Sequence, residues 1–246
     1  LKTADSAAGV STYAGRRDVA MSDRTPSWDL SAMYQVNPDV GVYARVATGF
    51  RGPTIQGRSA VFNADFTTAD SETILSWEAG IKTSLLDNRL RLNVAAFTYT
   101  VDDIQLNGND SNGNGVLFNA DKAKASGLEA DLDWRPIPNL SLTAGVSLLH
   151  SEIQDKRVYA QVCALNGVVV CTVNDPTIRV GANTFAQIDG NPLPNAPKYN
   201  VSLAARYDIP VSDSGTVFIA TDWNKQGRTS FVLYDSVEFN ANGNFE

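Results

Sequence analysis

Ser76-Trp77-Glu78-Ala79-Gly80-Ile81-Lys82, a turn at Asp87-Asn88, and then Arg89-Leu90-Arg91-Leu92-Asn93-Val94-Ala95-Ala96-Phe97-Thr98-Tyr99-Thr100 decide the fold class. In the first arm Trp77, Ala79 and Ile81 alternate with Glu78, Gly80 and Lys82. In the second, Leu90, Leu92, Val94 and Ala96 alternate with Arg89, Arg91 and Asn93. A period of two sends alternate side chains to opposite faces of a strand, so each arm has one apolar and one polar face. Two such runs joined by a short polar turn form an antiparallel hairpin. The second arm, about eleven residues long, has the reach of a tilted strand crossing a hydrocarbon layer.

The same alternation recurs on both sides of this hairpin. Trp28, Leu30, Ala32, Tyr34 and Val36 oppose Asp29, Ser31 and Gln35, with Met33 the exception. Val40, Val42, Ala44 and Val46 follow Asn37-Pro38-Asp39, where Pro fixes φ and Asp bonds to its own backbone. Leu128, Ala130, Leu132 and Trp134 oppose Glu129, Asp131 and Asp133, and Leu140 to Leu148 repeats the pattern. Tyr199 to Tyr207 and Val217 to Trp223 complete eight strands. The connectors alternate between short and long. The short ones centre on 37–39, 87–88, 136–139 and 211–215; the long ones run roughly over 51–73, 104–124, 150–197 and 225–240. A sheet built this way has two chemically different ends, as an antiparallel up-and-down transmembrane β-barrel does, with short periplasmic turns and long extracellular loops. Residues 1–24 are small and polar, with room for a weak strand near Val10 to Tyr13.

Alternation alone leaves two assignments of the faces. In a soluble sandwich the apolar face is the core and Glu78, Lys82, Arg91, Glu129, Asp131, Asp133, Arg206 and Asp222 point to water. In a membrane barrel the apolar face meets lipid and those charges line a wet lumen. Three features favour the barrel. Alanines are frequent on the apolar face (Ala32, Ala44, Ala79, Ala96, Ala130, Ala205), where lipid fills around any shape. Trp28, Tyr99, Trp134, Tyr207 and Trp223 fall near strand ends, as interfacial girdles do. Long connectors are unusual in compact soluble domains, and here they share one end. The alternatives are a non-transporting all-β carbohydrate-binding or adhesin module, and a complete eight-stranded barrel. The 246 residues suit one large all-β domain or two small ones. The net charge of -7 argues against nonspecific nucleic-acid binding. No run of 18 apolar residues is present, which excludes a transmembrane helix and leaves strands as the means of crossing. No signal peptide opens the chain, so the expectation is a processed chain or part of a longer one.

Four segments, in order, resemble the late barrel units of TonB-dependent outer-membrane receptors. In 37–54 the matching residues are Tyr43, Gly49, Phe50, Arg51 and Pro53; in 71–104 they are Glu72, Glu78, Gly80, Lys82, Asn93 and Phe97. In 118–136 they are Asn119, Ala123, Gly127 and Glu129, and 193–210 carries the family's Pro-x-x-Pro before a strand. The resemblance implies a barrel of about 22 strands that encloses a plug domain, sits in the bacterial cell outer membrane, and takes up a scarce substrate. That substrate is most often a ferric siderophore, and the energy comes from the inner-membrane TonB complex. Against that pattern the chain lacks the plug and TonB box and stops short of the terminal strands. It is therefore expected to be a fragment over 1–246, a partial arc of about eight or nine strands. Implied partners are outer-membrane lipid and lipopolysaccharide, the plug domain of the same protein, the TonB complex and a small-molecule substrate, with no nucleic acid and no cofactor.

Site expectations follow. Arg51, Glu78, Lys82, Arg91, Glu129 and Asp131 are candidate plug or lumen contacts, with ordinary pairing inside the barrel the alternative; for Arg51 the alternative is a turn between Gly49, Gly52 and Pro53. Phe62, Phe66, Tyr159, Phe185 and Gln187 are candidate ligand contacts in the long loops. Cys163 and Cys171, the only cysteines, sit in the longest loop and read as a disulfide, with two reduced thiols or a metal pair as the other readings. Asp110-Ser111-Asn112-Gly113-Asn114-Gly115 imitates the start of a calcium loop, with Asp121 at its twelfth position. An Asn/Gly-rich external loop explains the same composition. His150, the only histidine, is read as structural at the start of a loop. Nothing reads as an enzyme centre. Asp131 and Asp133 share one face of one strand, whereas a glycosidase needs two carboxylates facing each other across a cleft.

Overall fold

The computed structural model describes residues 18–57, 65–162, 172–212, 215–238 and 240–241. Eight antiparallel strands form one sheet: β1 (Asp29–Asn37), β2 (Val40–Arg51), β5 (Glu72–Thr83), β6 (Leu90–Asn109), β7 (Gly115–Trp134), β8 (Leu140–Ile153), β12 (Tyr199–Ser212) and β13 (Gly215–Gln226). Their order in the sheet is their order in the chain, so the topology is up-and-down with no crossover. Between them lie β3 (Thr54–Gln56) paired with β4 (Thr67–Ala69), a small sheet of β9 (Tyr159–Val162), β10 (Thr177–Val180) and β11 (Asn183–Gln187), and β14 (Thr229–Ser230) paired with β15 (Asn240–Ala241). All of these small pairs are at the end opposite the tight turns. The sheet is an open arc whose edges among the described residues are β1 and β13.

The register carries the apolar face unbroken across the arc. One row runs Tyr34, Val42, Ile81, Val94, Ala130, Val146, Val201, and the next runs Ala32, Ala44, Ala79, Ala96, Leu128, Leu148, Tyr199. Among the described residues the large side chains of these rows are open: Tyr34 is 69% and Leu128 50% exposed. A face this apolar and continuous is one that a soluble domain would cover. At the short turn between β5 and β6, Leu86, Asp87 and Asn88 all adopt positive φ, which closes the hairpin tightly.

The buried core lies elsewhere, at the loop end. Val101, Ile104, Leu106, Ala123, Ile153 and Ile188 belong to one buried cluster, with Ile153 and Ile188 fully buried. Below Asp103, the odd residues of β6 (Tyr99, Val101) reach this cluster; above it, the even ones (Ile104, Leu106) do. Asp103 has φ 55°, and this left-handed residue re-aims the strand so that both sets face the same core. The segment expected as a long connector over 104–124 is therefore corrected. β6 and β7 stay paired from Asp102 with Lys122 out to Asn109 with Gly115, and only the tip is a turn. Loss of clean alternation at the left-handed residue hid this ribbon. His150 is likewise in β8, paired with Ser126, and does not begin a loop.

Two glycines explain part of the family-like pattern. Gly80 is opposite Tyr43 and Gly127 opposite Phe97. A Cβ on Gly80 would lie 2.6 Å from the Tyr43 ring, and one on Gly127 would lie 2.5 Å from the Phe97 ring and 2.4 Å from the Leu148 carbonyl oxygen. In each pair an aromatic ring lies over the hydrogen-only face of its cross-strand partner, which fixes register.

Candidate functional site

The polar face is the inner wall of the arc, and successive hydrogen-bonded rows climb it from the short turns to the loops. Arg91 is opposite Asp133, and Asp133 opposite Thr143. The next row reads Gln35, Gly41, Lys82, Asn93, Asp131, Gly145, Ser202, Asn224 across all eight strands. Above it come Tyr43, Gly80, Ala95, Glu129, Ser147, Asn200 and Gln226, and then Arg45, Glu78, Phe97 and Gly127. Tyr99, Ala125 and Ser151 follow, and Val101, Ala123 and Ile153 close the wall. The wall is thus charged near the turns and apolar near the loops. The expectation of a polar lumen holds only for its lower part.

Four of the six expected wall residues come together. Glu78, Lys82, Glu129 and Asp131 line one cavity of about 260 Å³ with Tyr43 and Asn93. The Tyr43 hydroxyl donates to Glu78 Oε1 at 2.6 Å, and Lys82 Nζ stands 5.2 Å from the centre of the Tyr43 ring. Glu129 and Asp131 also face a larger depression of about 710 Å³ floored by Gly145, Ser147 and Ser202. Small residues make that floor: a Cβ on Gly145 would meet Ser202 Oγ at 2.7 Å. Arg91 lies one row below the cavity. Arg51 is remote, at the loop end, where its guanidinium donates to Glu72 Oε2 at 3.1 Å and to the Gln105 carbonyl at 3.4 Å.

Arg51 borders a polar knot that closes the base of the β3–β4 loop. Buried Gln105 donates from Nε2 to the carbonyls of Gly52 (2.8 Å) and Asp70 (2.9 Å), accepts from Thr54 Oγ1 (2.6 Å), and gives its N–H to Glu72 Oε2 (2.6 Å). Its cross-strand partner Asn119 accepts from the Asp70 N–H at 2.8 Å and donates to the Asp103 carbonyl at 2.7 Å. Sequence reading missed Gln105, because nothing in its neighbours marks an amide that spans both stems of a loop.

The loops at this end are tied to one another. Asp155 is buried and accepts the N–H groups of Asp121 and Arg157, each at 2.9 Å, while the Arg157 guanidinium pairs with Asp121. Burial pushes the Asp155 carboxyl up, but the two N–H donors and the Arg157 charge outweigh it and hold the group below its ordinary value. Across the mouth, Glu238 accepts the Thr172 hydroxyl (2.6 Å), the Thr172 N–H (3.0 Å) and the Ser236 hydroxyl (2.7 Å). These bonds, the Thr172 hydroxyl foremost, hold its carboxyl down to about 2. Asp175 Oδ2 accepts from Asn191 Nδ2 and from the Asp235 N–H, both at 2.7 Å. Beside this network a cavity of about 290 Å³ is lined by Lys198, Arg228, Tyr234, Ser230, Asn191 and Asp175 among others. Arg228 is paired with Asp235 at 3.0 Å.

Of the expected loop contacts, Tyr159, Phe185 and Gln187 fall in the small sheet, half-buried, with Tyr159 opposite Gln187 and Phe185 opposite Gln161. Gln187 spends its amide on the Lys156 carbonyl at 2.8 Å. Phe66 is half-buried just before β4. Phe62, Cys163 and Cys171 lie outside the described residues. The calcium-like stretch is a turn: Asp110 Oδ1 accepts the N–H groups of Asn112 (2.9 Å) and Asn114 (2.8 Å), its Oδ2 takes Asn114 Nδ2, and Gly113 has φ 78°. Asp121 is committed to Arg157.

Comparison with known proteins places this geometry. The family described as "TonB dependent receptor-like, beta-barrel" matches residues 3–246. A probable TonB-dependent siderophore receptor, PiuA of Acinetobacter baumannii, is 25% identical over 197 residues, 76% of this chain and 24% of its own length. Among solved structures, the ferric yersiniabactin uptake receptor FyuA of Yersinia pestis is similar with a TM-score of 0.62 at 22% identity, over 88% of this chain and 28% of that one. The siderophore receptor PiuA of Acinetobacter baumannii is similar with a TM-score of 0.61 at 17% identity, over 89% and 28%. The chain thus spans about a quarter of the length of these relatives.

Proposed function

Because this chain belongs to the TonB-dependent receptor β-barrel family, a family of outer-membrane receptors, we propose that it forms part of the barrel of a receptor rather than of an enzyme. That receptor imports a scarce small molecule of the ferric siderophore class, with energy from the TonB complex. The arc over 1–246 supplies one side of a longer barrel. Its short turns face the periplasm and its tied loops form part of the outer mouth. A plug domain fills the lumen against the Tyr43, Glu78, Lys82, Glu129, Asp131 cavity. Outer-membrane lipid and lipopolysaccharide cover the apolar face.

The observation that carries this reading is the family match along nearly the whole chain, joined to a mouth cavity of mixed charge in which Lys198 and Arg228 stand beside Asp175 and Asp235. Lys198, Tyr234 and the remaining N–H groups of Arg228 suit the clustered oxygens of a ferric chelate, where charge-assisted hydrogen bonds give orientation. The names of the relatives support the siderophore class. The test is equilibrium binding of a panel of ferric chelates and corrinoids to the intact receptor in detergent. The reading expects one ferric chelate to bind, and expects Lys198→Ala with Arg228→Ala to weaken it by about tenfold or more. Binding of a corrinoid or a carbohydrate alone would overturn the assignment of cargo.

A further inference from the structure

The mouth cavity and the wall recess beneath it are stacked on the same two strands. Lys198 extends β12 by one residue, its carbonyl accepting the Leu149 N–H at 2.9 Å, and Gly227 extends β13, donating to the Tyr199 carbonyl at 2.8 Å. Lys198 and Arg228 therefore stand one row above Asn200 and Gln226. Ser202 and Asn224 form the row below these, and Ala204 and Asp222 the next. The uppermost row opens into the cavity of about 290 Å³, and the following two line the recess of about 710 Å³. A molecule received at Lys198 and Arg228 thus has uncharged amides and a hydroxyl directly beneath it.

Positive charge is scarce along this route. In the mouth cavity Arg228 is already matched by Asp235 at 3.0 Å, and Asp175 accepts only neutral donors, Asn191 Nδ2 and the Asp235 N–H. The cavity's two cations are thus offset by two carboxylates. In the recess the charges on the inner face are Glu129 and Asp131, and Asp222 follows one row lower. Lys225 also borders the recess, but it is opposite Val201 and has the parity of the apolar face. Asn200, Ser202 and Asn224 make no side-chain hydrogen bond to any described residue, and Gln226 gives Nε2 to Thr229 Oγ1 at 2.8 Å. Amides and hydroxyls both donate and accept, so this surface suits a polar molecule without net charge. A multiply anionic one would face the carboxylates, at a like-charge cost that grows as water leaves. Among ferric chelates the two cases are distinct. Hydroxamates bring a single negative charge each and neutralise Fe(III), whereas catecholates bring double that and leave the complex multiply anionic.

We propose, on the reading that this arc belongs to a ferric-chelate receptor, that its cargo is a chelate of low net charge, of the hydroxamate rather than the catecholate type. Asn200, Ser202, Asn224 and Gln226 form a second station for that cargo, directly below the mouth cavity. Lys198 and the remaining N–H groups of Arg228 donate to the chelate's oxygens, and the amides of the recess continue the same contact down the wall. Asp175, Glu129 and Asp131 set the charge preference by disfavouring an anionic competitor.

The experiment measures equilibrium binding of the neutral trihydroxamate ferrichrome and of the tricatecholate ferric enterobactin to the intact receptor in detergent. It compares wild type, Asp175→Asn and Asn200→Lys, with heat-modifiable gel mobility identifying the folded barrel. Wild type is expected to bind the neutral chelate at least about tenfold more tightly, with a margin that shrinks as salt is added. Asp175→Asn removes a charge while keeping an oxygen acceptor for Asn191 and the Asp235 N–H, and is expected to narrow the margin severalfold. Asn200→Lys adds a cation at an exposed position of the recess and is expected to narrow it likewise, so it carries the test if Asp175→Asn does not fold. Tighter binding of the tricatecholate by wild type overturns the charge class and leaves the ferric-chelate reading intact. A margin that Asn200→Lys leaves untouched overturns the second station. Binding of neither chelate, with a corrinoid or a carbohydrate bound instead, overturns the ferric-chelate reading and this assignment with it.

Discussion

The strands near the short turns and the cap at the loop end are held together by different means. Among the described residues the lower band has no buried core: its apolar rows point outward and its inner wall is charged, so its strands are joined by backbone ladders and cross-strand pairs. The cap has a buried cluster built around Val101, Ile104, Ile153 and Ile188, sealed by loops that are bonded to one another through Asp155, Asp175 and Glu238. The same two strands, β6 and β7, serve both regimes and change over at Asp103. A barrel strand can thus be a lipid-facing strand at one end and a water-soluble core strand at the other.

The comparison breaks most readily at the largest side chains of the cap. Ile188→Ala removes fully buried methyl groups and is expected to cost about 2–5 kcal/mol of local stability. Leu92→Ala, on the lipid face, leaves no protein cavity and is expected to cost far less. Urea titration followed by amide exchange in the cap separates them, and equal costs would erase the distinction between the two regions. A charge reverses the preference. Val94→Arg in the band is expected to cost about 2–4 kcal/mol in assembled barrels, whereas Asn93→Arg, one residue away on the inner wall, is expected to leave folding unchanged. Folding titrations into lipid vesicles check both.

Gly127→Ala probes the inner wall below the changeover. Its methyl would press on the Phe97 ring and the Leu148 carbonyl, and overpacking of this kind costs about 1–3 kcal/mol. Adding Phe97→Leu is expected to recover part of the loss, since the ring is the movable neighbour. The smallest effect concerns the tie across the mouth. The Glu238 carboxyl is depressed in the folded protein from an ordinary 4.5 to about 2, so its contribution is complete above about 4.5 and is lost as pH falls toward about 2. Amide protection at Thr172 and Asn174 should persist at neutral pH, fall across that acid window, and be weakened at neutral pH by Glu238→Gln. Unchanged protection in that variant would mean that the loops are held by other contacts.

Much of this was legible in the sequence, for a physical reason. Period-two alternation from Trp28 to Trp223 is a direct readout of a strand with two different neighbours, and the alternating connector lengths reported the two ends. The wall residues Glu78, Lys82, Glu129 and Asp131 were found because charges repeat on one parity. What stayed hidden lay where parity breaks or where contacts are remote in sequence. The β6–β7 ribbon beyond Asp103 reads as a loop in the sequence because a left-handed residue shifts the alternation. Gln105 joins residues 35 to 53 positions away. Aromatic cover of Gly80 by Tyr43 and of Gly127 by Phe97 likewise appears only once the cross-strand register is known.

The most direct test of the central claim, that the alternating face of this arc meets lipid while the other lines an interior, is a nitroxide scan along Arg91 to Phe97 of the intact receptor in outer membranes, with Cys163 and Cys171 replaced by alanine. The account predicts high collision with oxygen at 92, 94 and 96 and low at 91, 93 and 95, a strict period of two. Labels at 92, 94 and 96 that are immobile and shielded from oxygen would place that face against protein, and would contradict the account.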